Sequence, residues 1–396
     1  MKNWSWIGGV ASLAIPWFAI LVFGLPVSPI IQVVFSGLAI IAAAFLLSWG
    51  AEVAQMEIPR SLAVAFVAIV AILPEYAVDI YVAGKAGRDP AYIPFAVANM
   101  TGANRLIIGI AWAMVAFLWW ARSKKTSLEI DKGHGFEFSL LFLVTLYSFI
   151  IPFKKTLSLW DGAILVGFFL FYIWKASQGG VEEPELEGPV TAIAKLPRAS
   201  RRRAILALFT FSFFAIVSAA KPFTEGLIAT GRLWHVEEFL LIQLLAPLAS
   251  EAPEFIVAGM LALRGNPSLG IGTLLSSKLS QWTLLVGMVP IVYTISLLTG
   301  GHAAIPLMLD GRQIDEIFLT AAQSFFAVAV VADFDLSLLD AGGLFSLYIT
   351  QYFFPSPAAR SIYAVIYLIL GAAIFILRKK NREGVKLHFQ HLRRSK

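Results

Sequence analysis

Apolar runs of roughly twenty residues recur along almost the whole chain, each long enough for a helix that crosses about 30 Å of hydrocarbon. The pattern predicts helices near residues 6–26, 29–50, 61–84, 91–120, 136–152, 156–175, 204–228, 236–263, 267–298, 314–332, 339–354 and 361–377. That is an all-α, polytopic membrane protein with about 12 transmembrane helices. The run at 339–354 is opened by Asp340 and two glycines, so a full crossing, a half-helix and a re-entrant segment all fit it. The first run lacks a small-residue cleavage pattern and reads as a retained helix rather than a signal peptide. One sizeable polar stretch interrupts the series, "ASQGGVEEPELEGPVTAIAKLPRASRRR" at 176–203. Its acidic, Pro/Gly-rich first part and basic second part predict a flexible cytoplasmic linker that divides the chain nearly in half, too short for a folded soluble domain.

Composition supports the membrane reading. Of 396 residues, 58% are hydrophobic and only 14% charged, and the mean hydropathy is +0.77, far from the charged surface a soluble protein of this size needs. The net charge of +6 points to no nucleic-acid partner, because Lys and Arg gather in loops and tails. With both termini in the cytoplasm, roughly twenty of them lie inside and about eight outside, as the positive-inside rule requires. The expected location is therefore a multi-pass position in the lipid bilayer, in the plasma membrane, with cytoplasmic termini. The absence of cysteine excludes disulfides and thiolate metal sites.

The chemistry lies where polar residues break the apolar runs. The first half has "LPEYAVDIYVAGKAGRDPAYIPFAVANMTGANRLIIG" and the second has "APEFIVAGMLALRGNPSLGIGTLLSSKLSQWTLLVG". Both place Pro-Glu inside an apolar run, then a short loop ending in proline (Pro90, Pro267), then a small-residue-rich helix with amides or hydroxyls. Aligning those prolines sets Asn99 beside Ser276 and Asn104 beside Gln281. In the expected topology the Lys85–Pro90 loop is outside and the Arg264–Pro267 loop inside, so the repeats enter the membrane with opposite sense. Inverted repeats with interrupted helices at their interface are a recurrent transporter plan.

Ionised carboxylates in hydrocarbon cost at least ~2.5 kcal/mol on insertion scales, so intramembrane acids are functional candidates. Pro74 and Pro253 each remove one helical hydrogen bond and free backbone oxygens. Beside them stand Glu75 and Glu254, with Asp79 and Glu251 on roughly the same helical faces. Hard divalent cations such as Ca2+ take six to eight oxygens from carboxylates, carbonyls, amides and hydroxyls. The candidate ligands are Glu75, Glu254, Asp79, Glu251, Asn99, Asn104, Ser250, Ser276, Ser277 and Gln281. No cofactor is expected; the ions are cargo.

These segments resemble the paired repeats of the sodium/calcium exchanger (cation/calcium antiporter) superfamily. Those repeats read Gly-Thr/Ser-Ser-x-Pro-Glu and then Gly-Asn-x-x-Gly-Ser-Asn. Pro74-Glu75 and "ANMTGAN" (Asn99, Gly102, Asn104) match in the first half, and "ASEAPE" (Ser250, Pro253, Glu254) in the second, where "SSKLSQ" follows. The resemblance implies ten core helices, so that 1–28 and 357–396 add a helix at each end, the latter with a basic tail. Residues 29–175 and 204–356 would then be the two repeats. It also implies countertransport of Ca2+, or a similar divalent ion, for Na+ or H+ at one alternately exposed site, the glutamates being the main ligands.

The departures are as specific as the matches. The hydroxyl pair before Pro-Glu is replaced by Ala71-Ile72 in the first repeat, and Arg105 and Lys278 lie next to proposed ligands. Two roles fit these cations: they face away and bond carbonyls, or they pair with Asp79 or Glu251 in place of a transported ion. Four acids against two bases leave about minus two, enough for one divalent ion. The competing functions are an intramembrane acid-dependent hydrolase, which lacks the Gly-x-Gly-Asp context of that chemistry, and a transport-inactive structural family member.

Overall fold

The structure, a computed structural model, describes residues 2–57, 70, 73–178 and 188–385. Among them nine helices are long and apolar enough to cross a membrane, or ten when Glu238–Ser250 and Ala252–Arg264, bent by 58°, count as one span. Two of the twelve expected crossings are missing from that count. The run at 61–84 falls largely outside the described residues, which hold Val70 and the helix Leu73–Ala86. The run at 339–354 is the 13-residue helix Leu338–Thr350 and a 3-10 turn, Gln351–Phe353. At 1.5 Å per residue that helix is about 20 Å long, too short for the hydrocarbon core. Side chains such as Phe214, Val217, Ile369 and Ile376 face outward, as a surface against lipid tails requires.

The chain forms two compact units, each drawn from both halves of the sequence: Met1–Val82 with Leu170–Pro253, and Ala83–Phe169 with Glu254–Lys396. In the first unit the helices Pro29–Ala54 and Arg198–Trp234 pack along each other. They approach closely because Gly226 lacks a side chain: a Cβ there would meet Val33 at 2.8 Å. Gln32 donates to the carbonyl of Pro222 at 2.7 Å, spanning the same helix pair. The long helix has 37 residues and begins at Arg198, so the basic end of the expected linker is helical. Its Arg198, Arg201 and Arg202 converge on Glu57, just past the end of Pro29–Ala54. The hydrogen bonds from Arg202 and then Arg201 hold the Glu57 carboxyl down at about 2, well below the usual carboxylate range.

The second unit contains two long helical tracts, Pro90–Ser123 and Pro267–Thr299. Each is interrupted by a π-helical turn, at Ile107–Trp112 and Gln281–Leu285. Gly311–Val331 packs against Ile93–Leu106, Gly135–Ser148 and Pro357–Leu377. Two short antiparallel pairings bind the halves: Ser127–Glu129 with Asp335–Ser337, and Thr156–Leu157 with Leu307–Met308. The offset that sets Pro90 on Pro267 carries Ser127–Glu129 toward Leu307–Met308 and Thr156–Leu157 toward Asp335–Ser337. Each strand therefore pairs with the counterpart of the other strand in its own half, the pattern of a pseudo-two-fold. A repeated "SLWD"/"SLLD" follows the same symmetry: the Ser158 and Ser337 hydroxyls donate to Asp161 and Asp340, each at 2.6 Å. Those acids also pair with Lys154 at 2.6 Å and Arg378 at 2.9 Å.

The short helix Leu338–Thr350 is seated on the first π turn. A Cβ on Gly109 would clash with Cγ of the buried Tyr348. Gly109→Ala is therefore expected to cost about 1–3 kcal/mol by overpacking. A thermal melt of the purified protein in detergent measures this, and an unchanged midpoint would contradict the seating.

Candidate cation site

In the first unit, Pro74 lies in the helix of which Leu73–Ala86 are described. Glu75 follows it and Asp79 comes one turn later; their exposures are 3% and 2%. Tyr76, between them in sequence, is buried too. Tyr81, on the same helix, donates its hydroxyl proton to Glu225 of the long Arg198–Trp234 helix.

The second Pro-Glu is built differently from a kinked helix. Glu238–Ser250 ends, Glu251 adopts a non-helical conformation (φ −95°, ψ 0°), and a new helix starts at Ala252 with Pro253 and Glu254 in its first turn. Pro253 thus heads a helix, and the last carbonyls of the preceding one lack helical donors. Glu251 is fully buried at the break, and its N–H donates to the Pro247 carbonyl at 2.8 Å. The Ser250 hydroxyl donates to the carbonyls of Ala246 at 3.1 Å and Pro247 at 3.2 Å, which leaves its oxygen able to accept or ligate. Among the described residues, Glu254 Oε2, in the second unit, is buried without a hydrogen-bond partner.

The remaining candidates belong to the second unit. Asn99, Asn104 and Gln281 are buried, while Ser276 and Ser277 are half-buried. Asn104 donates from Nδ2 to the Met100 carbonyl at 2.8 Å, which fixes its amide and directs Oδ1 away from its own helix. That oxygen accepts from Lys278 Nζ at 2.8 Å, and the Asn104 carbonyl accepts from the same ammonium at 3.2 Å. Asn104 and Lys278 thereby join the second helices of the two repeats. Each π turn begins close to this level, at Ile107 and at Gln281, the residue that the proline alignment sets beside Asn104. Such turns alter the carbonyl ladder and are frequent at functional sites.

Arg105 has neither of the roles expected from the sequence. It forms a 2.7 Å ion pair with Glu316, both side chains being buried, and its carbonyl accepts from Gln323 at 3.3 Å. Arg360 Nε stands 3.9 Å from the same carboxylate. The Arg105 charge is thus offset by Glu316, and the balance of four acids against two bases no longer applies. Glu316 is the residue that sequence reasoning missed. The signal was Asp315-Glu316 in the opening turns of an apolar run, beside two intramembrane cations in need of counter-charges. No three Asp, Glu, His or Cys side chains among the described residues are grouped as a metal site. A hard cation would have to draw on carbonyl, amide and hydroxyl oxygens beside the carboxylates to reach its usual six to eight ligands.

The sequence profile of the family described as sodium/calcium exchanger protein matches residues 28–177 and 204–356. Among solved structures, the H+/Ca2+ exchanger CAX is 41% identical, with a TM-score of 0.94 over 100% of this chain and 98% of its own. Native YfkE is 13% identical, with a TM-score of 0.64 over 92% of this chain and 100% of its own. The sodium-calcium exchanger NCX_Mj is 14% identical, with a TM-score of 0.53 over 82% and 97%. At those identities the last two share the fold. Comparison with curated protein sequences finds no match. With both halves matched by the family profile and a full-length structural relative at 41% identity, the chain belongs to the sodium/calcium exchanger protein family, as a polytopic membrane protein of two inverted repeats.

Proposed function

We propose that this protein is a secondary active antiporter that exchanges Ca2+, or a similar divalent cation, for protons across the plasma membrane, with both termini in the cytoplasm. The observation that carries the reading is a buried or half-buried glutamate directly after a helical proline in each repeat, Glu75 and Glu254. It occurs in a chain that is 41% identical, end to end, to an H+/Ca2+ exchanger. Carboxylates in a poorly solvated position are stable when they hold either a cation or a proton. The departing divalent ion leaves two carboxylates that protons neutralise, and the returning ion displaces those protons. Coupling follows if the site opens to one side at a time. Asn99, Asn104, Ser250, Ser276, Ser277 and Gln281 would supply neutral oxygens, and Asp79 and Glu251 further charge. A hydrolase lacks the facing aspartates its chemistry demands.

Reconstituted vesicles test the reading. Calcium-45 uptake is expected when the interior is acidic, and it should collapse when a protonophore removes the gradient. An outward sodium gradient at equal pH should drive none. Uptake that follows sodium alone, or no uptake under either gradient, overturns the proposal.

A further inference from the structure

We infer that the Lys278 ammonium is a resident monovalent cation of the transport site, and that it makes this antiporter indifferent to sodium. The inference rests on the calcium/proton reading above and adds a residue that determines ion specificity. Lys278 is fully buried, so its charge does not snorkel to an interface. Its Nζ lies 2.8 Å from Asn104 Oδ1, 3.2 Å from the Asn104 carbonyl and 4.5 Å from the centre of the Trp282 ring. An amide oxygen, a backbone carbonyl and an aromatic face are neutral groups of the kind that receive a dehydrated monovalent cation. Here a tethered ammonium holds all three.

The position adds to the chemistry. The proline alignment sets Asn104 against Gln281, so the ammonium binds an oxygen counted among the ligands of one repeat while reaching from the ligand-bearing helix of the other. Trp282, under the ammonium, is the second residue of the π turn Gln281–Leu285. A sodium ion entering here brings no more charge than the ammonium already supplies, and it lacks the directed N–H bonds that fit Asn104. A divalent ion brings twice the charge to the carboxylates and can be bound with the ammonium still in place or moved aside.

The test is equilibrium binding of calcium-45 to the purified full-length protein, with NaCl titrated against choline chloride at constant ionic strength. Wild-type binding should be unaffected by sodium. Lys278→Gln should let sodium displace calcium, at least tenfold more effectively than in wild type, whereas Lys278→Arg should stay indifferent. A Lys278→Gln protein that binds calcium and remains as sodium-indifferent as wild type overturns the inference. Should that variant not fold, the wild-type titration decides alone: indifference supports the inference and displacement overturns it. Failure of the underlying reading looks different, because the wild type would then bind and transport no calcium at all.

Discussion

Glu254→Gln is expected to cut calcium flux ~100-fold or more, since charge count is the main control on the affinity of oxygen-ligated calcium sites. The amide keeps the shape of the side chain and removes its charge. Glu254 Oε2 is buried with no hydrogen-bond partner among the described residues, so replacing the acid should leave the melting temperature unchanged or raise it. Glu75→Gln is expected to behave alike, given its mirrored place behind Pro74. Flux in vesicles and a melt in detergent together check this. A variant that is both inactive and strongly destabilised would assign Glu254 a structural role, and one with wild-type flux would remove it from the site.

Glu316→Leu is expected to cost about 3–5 kcal/mol of stability, because it strands the buried Arg105 guanidinium without the carboxylate 2.7 Å away. The diagnostic arm is the double variant Arg105→Met/Glu316→Leu. Apolar replacement of both partners of a buried pair is often neutral or stabilising, so the double variant should recover most of the loss. Denaturation of all three proteins in one detergent yields the coupling. If the double variant is no more stable than Glu316→Leu, the pair does not carry the effect.

The Pro-Glu repeats were legible because an acid inside an apolar run has no bland explanation in hydrocarbon. The same reasoning gave the spans whose apolar stretches are long, and it left the run at 339–354 open, which is a 13-residue helix. It did not reach the pairings of Ser127–Glu129 and Thr156–Leu157, which at two and three residues are too short to show a strand period. The repeated Ser158-Leu-Trp-Asp161 and Ser337-Leu-Leu-Asp340 could have pointed to them. "RASRRR" reads as linker by charge, yet it is helical because Pro197 precedes a run of good helix formers and Glu57 offsets their charges. The helix break at Glu251 was located only to within a turn, since a proline can kink a helix or head a new one. The partner of Arg105 was out of reach of the local pattern, because Glu316 lies more than two hundred residues away.

The exchanged strand pairings say something about how such a chain can arise. Neither half contains the partner for its own strands; each supplies what the other lacks. A half-length polypeptide able to insert into the bilayer in both directions would have formed the same two pairings with a second, upside-down copy of itself. Fusion through the 176–203 segment would then have turned an antiparallel homodimer into one polypeptide and freed its two glutamates, and its lysine, to diverge.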